Sequence, residues 1–171
     1  MNGTATQYRY HGSVLISQVT GSNKLLFSYD ANGNAVAVNY NGTYYYYVRN
    51  GQNDVIRLID GNNNAVVEYT YDSWGTPLST TGTLATTLGV QNPFRYRGYV
   101  YDAETGFYYV SSRYYDPEIG RFINADDIAY LGMGGLTSYN LFAYCGNNPV
   151  MGYDPYGTFD WSSFGKGAGW L

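Results

Sequence analysis

Acidic side chains are the one type in this sequence with enough members to build acid–base chemistry. The stretch RGYVYDAETGFYYVSSRYYDPEIGRFINADD, residues 97–127, interleaves tyrosines with six of the 13 carboxylates. Two carboxylates within hydrogen-bonding range can share one proton and divide the roles of acid and base. The competing chemistry is that of a turn. An Asp that opens a turn accepts hydrogen bonds from backbone N–H groups two or three residues on, and a following glycine supplies the left-handed position. Tyr101-Asp102 leads to Gly106 and Tyr115-Asp116 leads to Gly120, and shorter copies stand upstream as YDANG (Asp30 to Gly33) and YDSWG (Asp72 to Gly75). Repetition at this spacing assigns Asp102, Glu104, Asp116 and Glu118 to turns rather than to catalysis.

Other chemistries are excluded by scarcity. His11 is the only histidine and Cys145 the only cysteine, which removes Ser/His/Asp and Cys/His catalysis, an internal disulfide and a Cys-rich metal centre. No cofactor and no metal are expected. The nine basic residues are scattered through a chain of net charge −4, without the basic stripe that nucleic-acid binding requires. No run approaches the roughly 20 apolar residues of a membrane-spanning helix, and the first residues carry no signal-peptide pattern.

The elements that must hold these turns are strands. Aromatic residues make up 19% of the 171, with 22 Tyr, against only 13% charged residues. Tyrosine suits a half-buried pleated surface, where its ring packs and its hydroxyl stays near water. Alternating runs at 13–19, 24–29, 35–40, 44–48, 55–59 and 65–71 are separated by Asn-, Gly- and Asp-rich turns, and Asn41-Gly42 is a strong hairpin signal. The four tyrosines 44–47 put two rings on each face of one strand, so both faces need cover. Residues 76–92 read as a longer connection, with or without one helical turn. From Ser138 the apolar spacing predicts a short helix, stopped at Asn147-Asn148-Pro149, with Cys145 buried on its apolar face. The fold class is therefore mainly β: consecutive antiparallel hairpins forming a curved or spiralling sheet, with one short C-terminal helix. A hairpin repeat cannot bury its own face and must lie beside its neighbours. The strand edges such a sheet leaves open also allow self-association into oligomers or fibres.

The runs FRYRGYVYDAETGFYYVSSRYYDPEIGRFINADD and SYNLFAYCGNNPVMGYDPYG resemble the RHS-repeat-associated core domain over 94–157. The upstream Tyr-Asp units resemble the YD (RHS) repeats that precede this core in polymorphic toxins, bacterial wall-associated proteins, toxin-complex C components and teneurins. The resemblance implies three parts: YD-repeat hairpins over 1–93, the core over 94–157 and a tail over 158–171. It implies a shell of YD repeats around a C-terminal cargo, with the core as a plug, in a secreted or cell-surface protein. Fourteen residues follow Gly157, so the chain is expected to be the last segment of a longer protein or a truncated core. Its partners would be the remainder of a longer RHS chain or a cargo.

Many members of this family cut themselves after a DPxGL motif by aspartyl-type proteolysis. Here that motif corresponds to Asp154-Pro155-Tyr156-Gly157, with Thr158 in place of the leucine. An earlier Asp motif corresponds to Asp126-Asp127-Ile128-Ala129-Tyr130, of which only the leading Asp126 is kept. The resemblance thus implies a catalytic set of Asp126, Asp154 and Arg121, with cleavage near Gly157-Thr158. The residues themselves leave another reading open, with Asp126 as a cap and Asp154 as the first residue of an Asp-Pro-x-Gly turn.

Overall fold

The computed structural model describes residues 4–127 and 139–158. The chain divides into two compact units, Met1–Thr70 with Pro77–Gly98, and Tyr71–Thr76 with Tyr99–Leu171.

One sheet runs as a meander in strict chain order: β1 Thr6–His11, β2 Val14–Thr20, β3 Asn23–Tyr29, β4 Ala35–Tyr40, β5 Thr43–Arg49, β6 Val55–Ile59, β7 Ala65–Tyr71 and β8 Pro77–Thr81. Strands β2 to β7 lie within a residue or two of the alternating runs read from the sequence. The Thr/Gln/Tyr-rich start, β1, gave no such signal. Residues 76–92 are not all connection, because Pro77–Thr81 adds as the outermost strand, where a missing N–H costs no ladder bond. Thr70 Oγ1 and Ser79 Oγ, 2.8 Å apart, tie it to β7.

Two kinds of turn join the strands. Asn41-Gly42 closes β4 onto β5 with both residues at positive φ, 52° and 96°, the geometry whose twist matches a hairpin. Gly12-Ser13 and Gly21-Ser22 join β1 to β2 and β2 to β3 as two-residue turns too, with each glycine at φ 60°. The remaining four connections are five-residue loops of one design. In Asp30–Asn34, Asp60–Asn64 and Asp72–Thr76 the first carboxylate oxygen accepts the backbone N–H groups two and four residues on, at 2.8–2.9 Å. Asn50 does the same with its amide oxygen toward Gln52 and Asp54. The fourth residue of each loop is left-handed: Gly33, Asn53, Asn63 and Gly75. Asparagine therefore fills glycine's place twice, as its short polar side chain permits.

Cross-strand pairs put Gln18, Leu25 and Tyr40 on one face, with Phe27, Val38 and Tyr45, and then Tyr47, Leu58 and Val67. Residues 84–98 cover that face. Phe94 sets its ring edge-on against Phe27, Tyr29 and Tyr47 at 5.1, 6.1 and 6.1 Å. Asn92, 1% exposed, accepts from the Tyr47 hydroxyl at 2.6 Å and donates to the Phe94 carbonyl at 2.8 Å and the Tyr69 hydroxyl at 3.3 Å. Cover thus reaches only one face of the tyrosine run: Tyr44 and Tyr46 remain 55% and 45% exposed.

The second unit holds a smaller sheet, β9 Val100–Asp102, β10 Phe107–Val110, β11 Arg113–Asp116 and β12 Arg121–Phe122, also in chain order. Register aligns Tyr101, Tyr108, Tyr115 and Phe122 across one face. Tyr144 lies on this row, 4.2 Å from the Tyr115 ring and 5.7 Å from Phe122. The Tyr108 and Tyr115 hydroxyls donate to the Gly75 and Trp74 carbonyls, so the Asp72 loop is bonded into this unit. Asp102 and Asp116 again accept from the N–H two residues on, and Gly106 and Gly120 are left-handed. At Gly120 the reason is space, since a Cβ would lie 2.8 Å from the Trp74 ring.

The helix expected up to Asn147 is, within the described residues, a single 3-10 turn, Cys145–Asn147. Its start at Ser138 lies outside them, as does the tail beyond Thr158. Tyr144 is extended (φ −94°, ψ 127°) and Cys145, Gly146 and Asn147 are all at positive φ. The backbone therefore bends to deliver Tyr144 into the aromatic row instead of continuing a helical period, and Cys145 is half-buried, not on a helix face.

Asn92→Leu should cost about 2–4 kcal/mol in urea denaturation, because the buried bonds of Asn92 to the Tyr47 hydroxyl, the Phe94 carbonyl and the Tyr69 hydroxyl are all lost, although Tyr69 keeps its bond to the Gly89 carbonyl. Asp60→Ala, in an exposed loop of the same design, should produce a clearly smaller loss.

Candidate functional site

Strand parity sets the centre of the site. Along β11, Arg113 and Tyr115 turn to the buried face and Tyr114 to the surface. A guanidinium is thereby carried into an aromatic interior, where it lies 3.6 Å over the Phe122 ring. A buried charge of this kind needs partners. Arg113 Nη2 reaches Asp126 Oδ2 at 2.9 Å and Asp154 Oδ2 at 3.5 Å, while Nη1 donates to the Leu141 carbonyl at 2.9 Å. The three side chains are 5%, 5% and 10% exposed.

Backbone pairing delivers the carboxylates. The segment after β12 runs along 141–143, with Phe122 N–H donating to the Phe142 carbonyl and Asp126 N–H to the Leu141 carbonyl, both at 3.0 Å. Asp154 is gripped by Tyr99, whose hydroxyl donates to the Asp154 carbonyl at 2.6 Å and accepts its N–H at 3.1 Å. Burial pushes the Tyr99 hydroxyl well above the usual phenol range, so it stays protonated and keeps that bond.

Asp154 Oδ1 accepts the N–H groups of Tyr156 and Thr158, both at 3.2 Å. This is the two-and-four pattern of the Asp30, Asp60 and Asp72 loops, with Gly157 left-handed (φ 65°) in the fourth position. The surroundings differ. Asp30 is exposed, and hydrogen bonds from Asn34 hold its carboxyl below the usual range. Burial instead raises Asp154 to about 6, against the opposing pull of Arg113 and the loop N–H groups. Of the two carboxylates, Asp126 lies the nearer to the guanidinium.

The peptide bond between Gly157 and Thr158 is held on both sides. Its carbonyl oxygen accepts from Arg113 Nε at 2.5 Å and Ser112 Oγ at 2.8 Å, while its N–H meets Asp154 Oδ1. Ser111 Oγ donates to the Pro155 carbonyl at 3.3 Å. So close is this docking that a Cβ on Gly157 would overlap the Val110 carbonyl oxygen and lie 2.8 Å from Ser112 Oγ.

Of the three side chains the resemblance nominated, Asp126 and Asp154 converge on one cation. Arg121 does not join them. It is exposed on β12 opposite Asp116, because its neighbour Phe122 occupies the inward position and strand parity sends Arg121 to the other face. Arg113 stands in its place. The available signal was an arginine at an inward position of the alternating run SSRYYD, but composition gave no reason to prefer it.

A model of the family described as the teneurin YD-shell matches residues 3–150. The chain belongs to the teneurin YD-shell family. Over 96 residues, 56% of the chain, it is 44% identical to the tRNA nuclease WapA of Bacillus subtilis (strain 168), and over 65 residues, 38% of the chain, 45% identical to the toxin protein Tse5 of Pseudomonas aeruginosa. Among solved structures it is similar to a TcdB2-TccC3-Cdc42 crystal structure (TM-score 0.72, 22% identity, 90% of the chain) and to a Photorhabdus luminescens Tc holotoxin pore (TM-score 0.72, 21% identity, 92% of the chain). It spans only 4% of WapA, 5% of Tse5 and 8% of each structure's matched chain. The reading as a structural β module of RHS type stands on this membership and on the ordered hairpins of the YD-shell fold.

Replacing the central cation should be severe: Arg113→Met should cost about 3–5 kcal/mol by leaving buried carboxylates uncompensated, against roughly 0.5 kcal/mol or less for Arg121→Met at the surface. Asp154 adds a pH signature. Its folded value of about 6 lies above the ordinary 3.8, so the stability it contributes is present at low pH and lost as pH rises through about 6. Asp154→Asn should therefore flatten the fall in stability between pH 4 and 6.5 in denaturant titrations.

Proposed function

We propose that the chain forms part of the wall and closing segment of an RHS-type shell, within a longer secreted or cell-surface protein that encloses a cargo. The observation that carries this reading is the unbroken meander. Its strands follow chain order from β1 to β8, each joined by a short turn, so further hairpins can extend it at an outer strand without altering the design. The small share of each relative that the chain spans supports a longer assembly. Electron microscopy of the protein from its native source should find a closed β shell around a protease-protected segment. A free-standing monomer without enclosed volume would overturn this reading.

A second reading rests on the meeting of Asp126 and Asp154 on Arg113: the chain cuts itself near Gly157-Thr158. Water would add to the scissile carbonyl carbon while Asp126 takes its proton, and protonated Asp154 would give its proton to the leaving nitrogen as the C–N bond breaks. The products are a new C-terminal carboxyl group and a free amine. A carboxyl poised near 6 suits the acid role. Intact-mass measurement should show loss of the last 13 or 14 residues, those after Thr158 or after Gly157, faster at pH 5 than at pH 7.5 and abolished in Asp154→Asn; a full-length mass held for days at both pH values would exclude cleavage.

A further inference from the structure

We infer that Phe159 and Trp161, which follow closely on Thr158, dock on an apolar row across the outer face of the smaller sheet. The inner face of that sheet is closed: its row of Tyr101, Tyr108, Tyr115 and Phe122 receives the Tyr144 ring. Side chains alternate between the two faces of a strand, so the residues next to these form a second row. Val100 pairs with Tyr109, and Tyr109 with Tyr114. Ile123 completes the row, its N–H donating to the Tyr114 carbonyl at 2.9 Å. The Tyr109 and Tyr114 rings lie 5.3 Å apart, tilted by 51°. Val100 is half-buried, yet Tyr109, Tyr114 and Ile123 remain 38%, 42% and 43% exposed. Four apolar side chains in register on one open face make a seat for a partner.

The path of the chain names the occupant. Residues 155–157 lie across the tip of the β10–β11 hairpin, where a chain can pass from one face of the sheet to the other. Ser111 Oγ donates to the Pro155 carbonyl at 3.3 Å, and Ser112 Oγ lies 2.9 Å from that of Tyr156. Gly157 sits against the last cross-strand pair, Val110 and Arg113, so closely that a Cβ there would overlap the Val110 carbonyl oxygen. Tyr109 and Tyr114 are the next pair along, about 3.3 Å further from the tip. The Tyr109 hydroxyl donates to the Ser111 carbonyl, which holds its ring beside that tip. Three extended residues after Thr158 span about 10 Å, enough to enter the row, and they are Phe159, Asp160 and Trp161. Extended residues two apart share a side, so both rings can meet the tyrosine pair while the carboxylate stays in water. Neither β10 nor β11 is an edge strand. The contact is therefore one of side chains, with the offset and edge-on geometries that aromatic rings favour.

This docking does not depend on the cleavage reading, and its test uses the full chain with Asp154→Asn throughout, so that self-cutting cannot remove the segment. Asn50 shows that an amide oxygen can close a loop of this design. Chymotrypsin, which cuts after large aromatic residues, is added to this form and to one that also carries Tyr109→Thr and Tyr114→Thr. Intact mass then follows cuts after Phe159 and Trp161. A protease acts on the open population, so the form lacking the tyrosine pair should be cut there about 10-fold faster. Tyr44→Thr with Tyr46→Thr, on the larger sheet, should leave that rate unchanged. In urea, Phe159→Ser with Trp161→Ser should lower the midpoint only where Tyr109 and Tyr114 are present. Equal cutting rates with and without the tyrosine pair would overturn the inference. Faster cutting throughout the chain would mark a loosened fold; the urea cycle then decides, additive losses overturning the docking and non-additive ones supporting it. Protection that grows with protein concentration would give the row to a second copy and would overturn docking within the chain.

Discussion

A carboxylate oxygen that accepts two backbone N–H groups, two and four residues on, is the interaction on which this molecule depends. It closes the loops at Asp30, Asp60, Asp72 and Asp154, and an asparagine oxygen does so at Asn50. Each such bond satisfies donors that a tight reversal would otherwise leave to solvent, and each demands a left-handed residue in the fourth position. With direction changes fixed locally, strands can follow one another in chain order, and the burial of tyrosine, leucine and valine decides only which face is covered.

The candidate site is this loop placed in different surroundings. At Asp30 the carboxylate meets water and is held ionised by its own loop. At Asp154 the same bonds are carried inside, beside Arg113 and under Tyr99, where dehydration works against the charge. A turn former thereby becomes a group able to exchange a proton at mildly acidic pH. No new motif was needed, only burial and one cation.

The sequence was informative wherever a feature is local. Alternation and Asn/Gly/Asp turns located β2 to β7 closely, because a hairpin is defined by its own residues. Convergence of Asp126 and Asp154 could be foreseen only through family resemblance, since 28 positions separate them. The choice of Arg113 over Arg121 depends on strand parity near Phe122, which becomes visible only when the register of β11 and β12 is known. The helix expected before Pro149 failed for a related reason: apolar spacing near three and four was produced by residues serving different contacts, with Tyr144 reaching the aromatic row while Cys145 to Asn147 turn away. The loops at Asn50 and Asp60 were legible as Asn/Gly-rich turns but not as copies of Tyr-Asp-x-x-Gly, because Arg49 and Ile59 precede them and Asn53 and Asn63 stand in glycine's place.

The ring of Phe94 seals a surface that begins at Phe27, and this separation has a bearing on how the protein is made. A ribosome adding roughly 5–20 residues per second completes the early hairpins several seconds before the strap that shields them exists. During that interval a row of oily side chains lies open to neighbouring nascent polypeptides. The length of that interval is set by the separation of Phe27 and Phe94 along the chain.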